Sequence, residues 1–123
     1  MPAKQALILF AHGARDPRWA RPFERLAKLA QQQKPELAVR LAFLELMEPR
    51  LPAAVAELAA DGFETISLVP VFLGQGGHVL RDLPPMIDEL RTQFPQLSIT
   101  VSDAVGESPM VLDAIAAYCL SQL

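Results

Sequence analysis

His12 and His78 are the only two histidines in 123 residues, and each follows an apolar run. The first run is Ala6 to Ala11 and the second is Thr65 to Leu73, which leads into Gly74-Gln75-Gly76-Gly77-His78. A carboxylate, Glu45, closes a third such stretch, Ala38 to Leu44. Imidazole binds late first-row divalent metals without saturating them, and it exchanges a proton within the cellular pH range. A neighbouring carboxylate can orient the ring or pass its proton onward. Taken singly, each of the three has a plainer reading: a loop histidine is usually exposed or capping, and Glu45 suits a surface position near a helix start. Glu48, before Pro49, reads as an ordinary helix entry. What gives the trio weight is that all three stand at strand ends.

The strands follow from the pattern. Gln5 to Ala11 is continuously apolar and bounded by His12-Gly13, as expected of a strand buried on both faces. Asp16-Pro17 supplies an N-cap and a first-turn proline for a helix carrying Phe23, Leu26, Ala27 and Ala30, which Lys34-Pro35 stops. A strand at 38–44 precedes a helix through Leu51, Val55 and Leu58 that ends near Gly62. After the third run come a helix expected at about 83–94, with Pro84 and Pro85 in its first turn, a strand at about 98–102 and a last helix over 108–120. Four strands alternating with four helices call for an α/β fold: a four-stranded parallel sheet flanked by helices, flavodoxin-like, in the order 2-1-3-4. Ligands of such sheets bind beyond the carboxyl ends of the strands, between strands 1 and 3, where neighbours stand about 4.8 Å apart. On this topology His12, Glu45 and His78 open onto one crevice.

Composition narrows the rest. Fifty-one per cent apolar residues in 13.5 kDa suit one domain over 1–123, with no linker, repeat or low-complexity segment. One cysteine, Cys119, allows no internal disulfide and fits a reducing cytoplasm. No apolar stretch approaches the roughly 18 residues of a membrane span, and no signal-peptide pattern opens the chain. The formal charge of −3 argues against nucleic acid. That charge is uneven: 1–50 holds nine basic and five acidic residues, 51–123 two and nine. The basic cluster Arg15, Arg18, Arg21, Arg25 and Lys28 reads first as a solvated helix face, though it also offers a local welcome to an anionic ligand.

The loop 74–78 lacks the Lys-Ser/Thr ending of a P-loop and does not fit G-x-G-x-x-G. Its glycines either admit a flat ligand close to the backbone or serve the loop's own turn. Zinc-finger spacings and the G-x-S-x-G elbow are absent.

The segments Leu7-Ile-Leu-Phe-Ala-His12-Gly-Ala-Arg15-Asp, Phe43-Leu-Glu45-Leu, Pro70-Val-Phe-Leu-Gly-Gln-Gly-Gly-His78-Val and Asp82-Leu-Pro84 resemble the small form of the class II tetrapyrrole chelatases, the sirohydrochlorin cobaltochelatases. The resemblance covers nearly the whole chain. It departs at Ala14, where the family usually has serine, and at Gln75, where a small residue is common. The resemblance implies ATP-independent insertion of a divalent cation, Co²⁺ and otherwise Ni²⁺ or Fe²⁺, into sirohydrochlorin, by a homodimer with no tightly bound cofactor. It further implies that His12 and His78 bind the metal, that His12 also takes part in proton removal, and that Leu73, Gly74, Gln75, Gly76 and Gly77 contact the macrocycle. Insertion requires the ion to shed water and two pyrrole protons to leave, so a weak two-imidazole site beside Glu45 suits the task. Arg15, and after it Arg18, are placed to hold the rim carboxylates of the substrate. Two rivals stand beside this reading: a metal-carrier module using the same histidines, and a histidine phosphotransferase. The latter lacks the arginine expected before its histidine, since Ala11 stands there.

Overall fold

The computed structural model describes residues 4–74 and 77–123, with the backbone alone at 77–80. Strands β1 (Gln5–Ala11), β2 (Ala38–Phe43), β3 (Thr65–Pro70) and β4 (Ser98–Val101) form one sheet. All pairings are parallel and the order is β2-β1-β3-β4, as the alternation of elements requires. The helices are α1 (Arg21–Gln33), α2 (Leu51–Ala60), α3 (Gly77–Gln93) and α4 (Pro109–Leu120).

Right-handed crossovers dictate which face each helix covers. The step from β1 to β2 runs one way along the sheet and puts α1 on one face; the steps to β3 and β4 run the other way and put α2 and α3 opposite. Alternation along β1 then divides the core. Ala6, Ile8 and Phe10 point toward α2 and α3, meeting Leu51, Val55, Leu58, Ile87 and Leu90 in the main cluster. Ala11 and Phe43 point toward α1, where Ala20, Trp19 and Phe23 complete a smaller cluster. Trp19 and Phe23, one helical turn apart, stack with ring centroids 4.6 Å apart, and Trp19 meets Phe43 at 6.5 Å. Along α1, Phe23, Ala27 and Ala30 form the half-buried stripe. Gln31 lies on one flank of that stripe and clasps the outer edge of β2, accepting from the Val39 N–H at 3.1 Å and donating to the carbonyls of Leu37 and Lys34.

Three expectations change. Asp16 does cap a helical turn, but that turn is the 3₁₀ segment Pro17–Ala20, and α1 proper begins at Arg21. The third helix begins at Gly77, well before the expected 83, so His78 stands in its first turn and not in a loop. Pro84 and Pro85, read as a helix start, are interior: both face solvent, while Leu83, Ile87 and Leu90 are buried against the sheet and carry the helix through the prolines. Finally, α4 does not flank the sheet. It buries none of its residues, and among the described residues it packs chiefly against the short 3₁₀ turn Val105–Glu107.

Candidate active site

Parallel pairing does not stop where β1 and β2 end. The Ala11 carbonyl accepts from the Leu44 N–H at 2.9 Å, and the His12 carbonyl accepts from the Glu45 N–H at 3.0 Å. The two strand exits therefore stay in register for two further residues. The loop after β2 is closed by the Phe43 N–H, which donates to the Pro49 carbonyl at 2.9 Å. Gly13 makes the approach possible. Its φ is +99°, and a Cβ there would lie 1.8 Å from the Glu45 carbonyl oxygen, so only glycine fits against that backbone.

This scaffold sets His12 Nε2 2.8 Å from Glu45 Oε1. The side chains are 41% and 44% exposed, so the pair is anchored by its backbone yet open to a ligand from the sheet end. The arrangement matches the common pattern in which one imidazole nitrogen is held by a carboxylate and the other serves a metal or a proton. A neutral imidazole donates Nε2–H to Glu45, and a protonated one does the same with added charge.

The neighbouring exit is that of β3. The Val71 N–H donates to the Phe10 carbonyl at 2.7 Å, and the Phe72 ring meets Phe10 edge-on at 6.0 Å. From the other side, the Gly106 N–H donates to the Phe72 carbonyl at 2.9 Å, and a Cβ on Gly106 would lie 1.7 Å from the Leu73 carbonyl oxygen. Leu73 and Gly74 emerge exposed from this double anchor, Leu73 at 64%. Gln75 and Gly76 lie outside the described residues, as does the His78 side chain; the backbone of Gly77 and His78 opens α3. Whether the two imidazoles face one another thus falls outside what is described. Among the described residues, no three His, Cys, Asp or Glu side chains converge as a metal cluster.

The two arginines divide. Arg15 is exposed three residues past His12. Arg18 is engaged by Asp16, with Nη2 donating to Oδ2 at 2.7 Å and Nε to both carboxylate oxygens at 3.1 Å. That side-chain bond, then the Arg18 backbone N–H, holds the Asp16 carboxyl below the ordinary aspartate range, and Asp16 in turn raises the Arg18 guanidinium. Arg18 is therefore a poorer carboxylate clamp than Arg15. Sequence reasoning missed Gly13 as a spacer, Trp19 as the prop beneath the His12 segment, and Gly106 as the second anchor of the β3 exit. The Trp19/Phe23 spacing was a readable signal; the glycine contacts were not.

Comparison with known proteins bears on the family and the fold. Residues 6–120 match the CbiX family. A sirohydrochlorin cobaltochelatase of Methanopyrus kandleri is 37% identical over 67% of this chain and 57% of its own length. One from Methanocaldococcus jannaschii is 34% identical over 68% and 58%. The match thus spans a little over half the length of these relatives. The crystal structure of a CbiX protein from Marinobacter aquaeolei superposes with a TM-score of 0.85 at 31% identity, covering 96% of both chains. The sirohydrochlorin chelatase SirB of Bacillus subtilis subspecies spizizenii, in complex with cobalt, gives a TM-score of 0.81 at 22% identity over 96% of this chain and 50% of that one. With its parallel sheet, its paired strand exits and a family match over almost its full length, the chain belongs to the CbiX family.

Proposed function

We propose that two copies of this chain together insert a divalent metal, Co²⁺ before Ni²⁺ or Fe²⁺, into sirohydrochlorin without ATP. The observation that carries the reading is the His12–Glu45 contact of 2.8 Å at the carboxyl end of the sheet, beside the exposed Leu73-Gly74 exit. The cobaltochelatase relatives share the family, and their substrate suits this site. Sirohydrochlorin is flat and broad, rimmed with carboxylates, and must lose two pyrrole protons as the ion enters.

The residues divide the work accordingly. His12, with His78, receives the partly hydrated ion; two imidazoles hold it weakly enough for transfer. Each pyrrole N–H gives its proton to a base as the ring nitrogen takes the metal, and His12 is that base, with Glu45 compensating the imidazolium and relaying the proton to solvent. Leu73, Gly74, Gln75, Gly76 and Gly77 lie along one face of the ring, and Arg15 pairs with a rim carboxylate. One lobe covers one face of a wide macrocycle, and a second copy covers the other. The fold's likeness to half of the longer SirB chain supports that pairing.

The test is anaerobic mixing of the protein, Co²⁺ and sirohydrochlorin while the tetrapyrrole absorbance is followed. His12→Ala, His78→Ala and Glu45→Gln are each expected to slow the spectral change by at least tenfold with the fold intact. Cobalt binding with no acceleration over the uncatalysed rate would identify a carrier and overturn the enzymatic reading.

A further inference from the structure

Three residues past the end of β2, Leu46 breaks two rules at once. Its φ is +68°, and among the described residues no other non-glycine has a positive φ. Left-handed backbone crowds Cβ against the following carbonyl, so a bulky side chain takes it only under constraint. Leu46 is also 50% exposed.

The loop explains the turn but not the leucine. The chain must double back so that the Pro49 carbonyl can accept from the Phe43 N–H at 2.9 Å, and a left-handed residue at 46 is part of that path. Glycine or asparagine would take the same turn at less cost. Nor does the leucine serve the core. Its neighbours do: Leu44 packs against the main cluster and Met47 against the smaller one on the opposite face, whereas Leu46 joins neither. Strain of this kind persists where it serves a ligand.

The position of Leu46 points to that ligand. Glu45 is fixed to the His12 carbonyl through its N–H and to the His12 ring through its carboxylate, so Leu46 follows directly on the proposed metal and proton site. Leu73 holds the corresponding place on the other side: it lies three residues past the end of β3 and is 64% exposed. Because β1 runs between β2 and β3, the exits carrying the two leucines are two strand spacings apart, about 9–10 Å, with His12 between them. Two exposed apolar side chains flanking that site suit a broad, flat ligand and do nothing for a small hydrated one.

We propose that Leu46 is a substrate contact, an apolar rest that carries the tetrapyrrole ring on the β2 side of His12 as Leu73 does on the β3 side. This rests on the function proposed above and adds to it a residue that sets the affinity and placement of the ring. The left-handed turn keeps the side chain out of both core clusters and free for the macrocycle.

The experiment uses the full-length protein with Leu46→Asn, Leu46→Gly and Leu46→Met. The first two relieve the backbone and remove the apolar side chain; the third keeps both. Binding of metal-free sirohydrochlorin, followed by its own fluorescence, is expected to weaken about tenfold in Leu46→Asn and Leu46→Gly and to stay within about twofold of wild type in Leu46→Met. In cobalt insertion the first two should raise KM for the ring with kcat held, while cobalt affinity without the ring and the urea midpoint stay at wild-type values. Unchanged ring affinity in both overturns the contact and, with insertion intact in the wild type, leaves the proposed function standing. A fall in their urea midpoints that accounts for the lost affinity makes Leu46 a packing residue and overturns the contact as well. Weaker self-association in sedimentation, with ring affinity unchanged, assigns Leu46 to a second copy and has the same consequence. Weakened ring binding in the two variants upholds the contact even where the wild type inserts no cobalt, a result that overturns the proposed function alone. A wild type that binds no ring overturns both.

Discussion

Gly13→Ala is expected to damage stability and chemistry together. Two penalties apply. The first is conformational: an alanine at φ +99° leaves the allowed regions at a cost of about 1–2 kcal/mol, partly offset by about 0.4–1 kcal/mol from the stiffer unfolded chain. The second is steric: the new Cβ would stand 1.8 Å from the Glu45 carbonyl oxygen, so the 44–45 backbone must withdraw. Withdrawal strains or breaks two hydrogen bonds, Leu44 N–H to the Ala11 carbonyl and Glu45 N–H to the His12 carbonyl, each worth about 0.5–1.5 kcal/mol. The total is about 2–4 kcal/mol, read from the urea midpoint at constant slope. Gly62→Ala separates the terms, because Gly62 has φ +83° with nothing within 4 Å of a Cβ; it should lose only about 1 kcal/mol. Since Glu45 moves by more than an ångström, cobalt insertion by Gly13→Ala should fall by about 100-fold. Equal unfolding midpoints for the two alanine variants, or full insertion activity in Gly13→Ala, would refute the claim that Gly13 exists to let the strand exits touch.

Phe10→Ala, which empties the centre of the larger core, should cost about 3–5 kcal/mol in urea unfolding. Gln31→Ala leaves the Val39 N–H and the Leu37 carbonyl without their side-chain partner and should cost about 1–2 kcal/mol, with faster amide exchange at Val39 as the local readout. Glu45→Gln should weaken cobalt affinity by about 10- to 100-fold in titration while moving the melting temperature little, since the His12 contact is half-exposed. The Asp16 carboxyl, held low by Arg18, should titrate below the ordinary aspartate value by carbon NMR. Its stabilising pairing is present above that ordinary value and lost as the pH falls through the lowered one, and Arg18→Ala should return it upward.

The sheet was readable because its signals are collective. Four apolar runs bounded by turns, spaced by helical patterns, leave few topologies once crossovers are right-handed, and the pairing of His12 with Glu45 followed from strand order. The start of α3 was misread because prolines usually mark a first turn. Here the buried Leu83, Ile87 and Leu90 outweigh them, and no local rule announces that outcome. The isolation of α4 was hidden for a different reason: an apolar stretch of twelve residues says that it will be covered, but not by what. The contacts of Gly13 and Gly106 are tertiary, and a glycine's letter does not reveal which backbone presses against it.

The clasp of Gln31 on β2 has a counterpart at the opposite border, where the Arg91 guanidinium donates to the Ile99 carbonyl of β4 at 2.7 Å. Both outermost strands thus have backbone groups capped by a side chain from a neighbouring helix, Gln31 of α1 and Arg91 of α3, and β4 is four residues long. Open borders recruit foreign strands and seed fibrils. With its borders blunted, this sheet resists endless edge-to-edge growth.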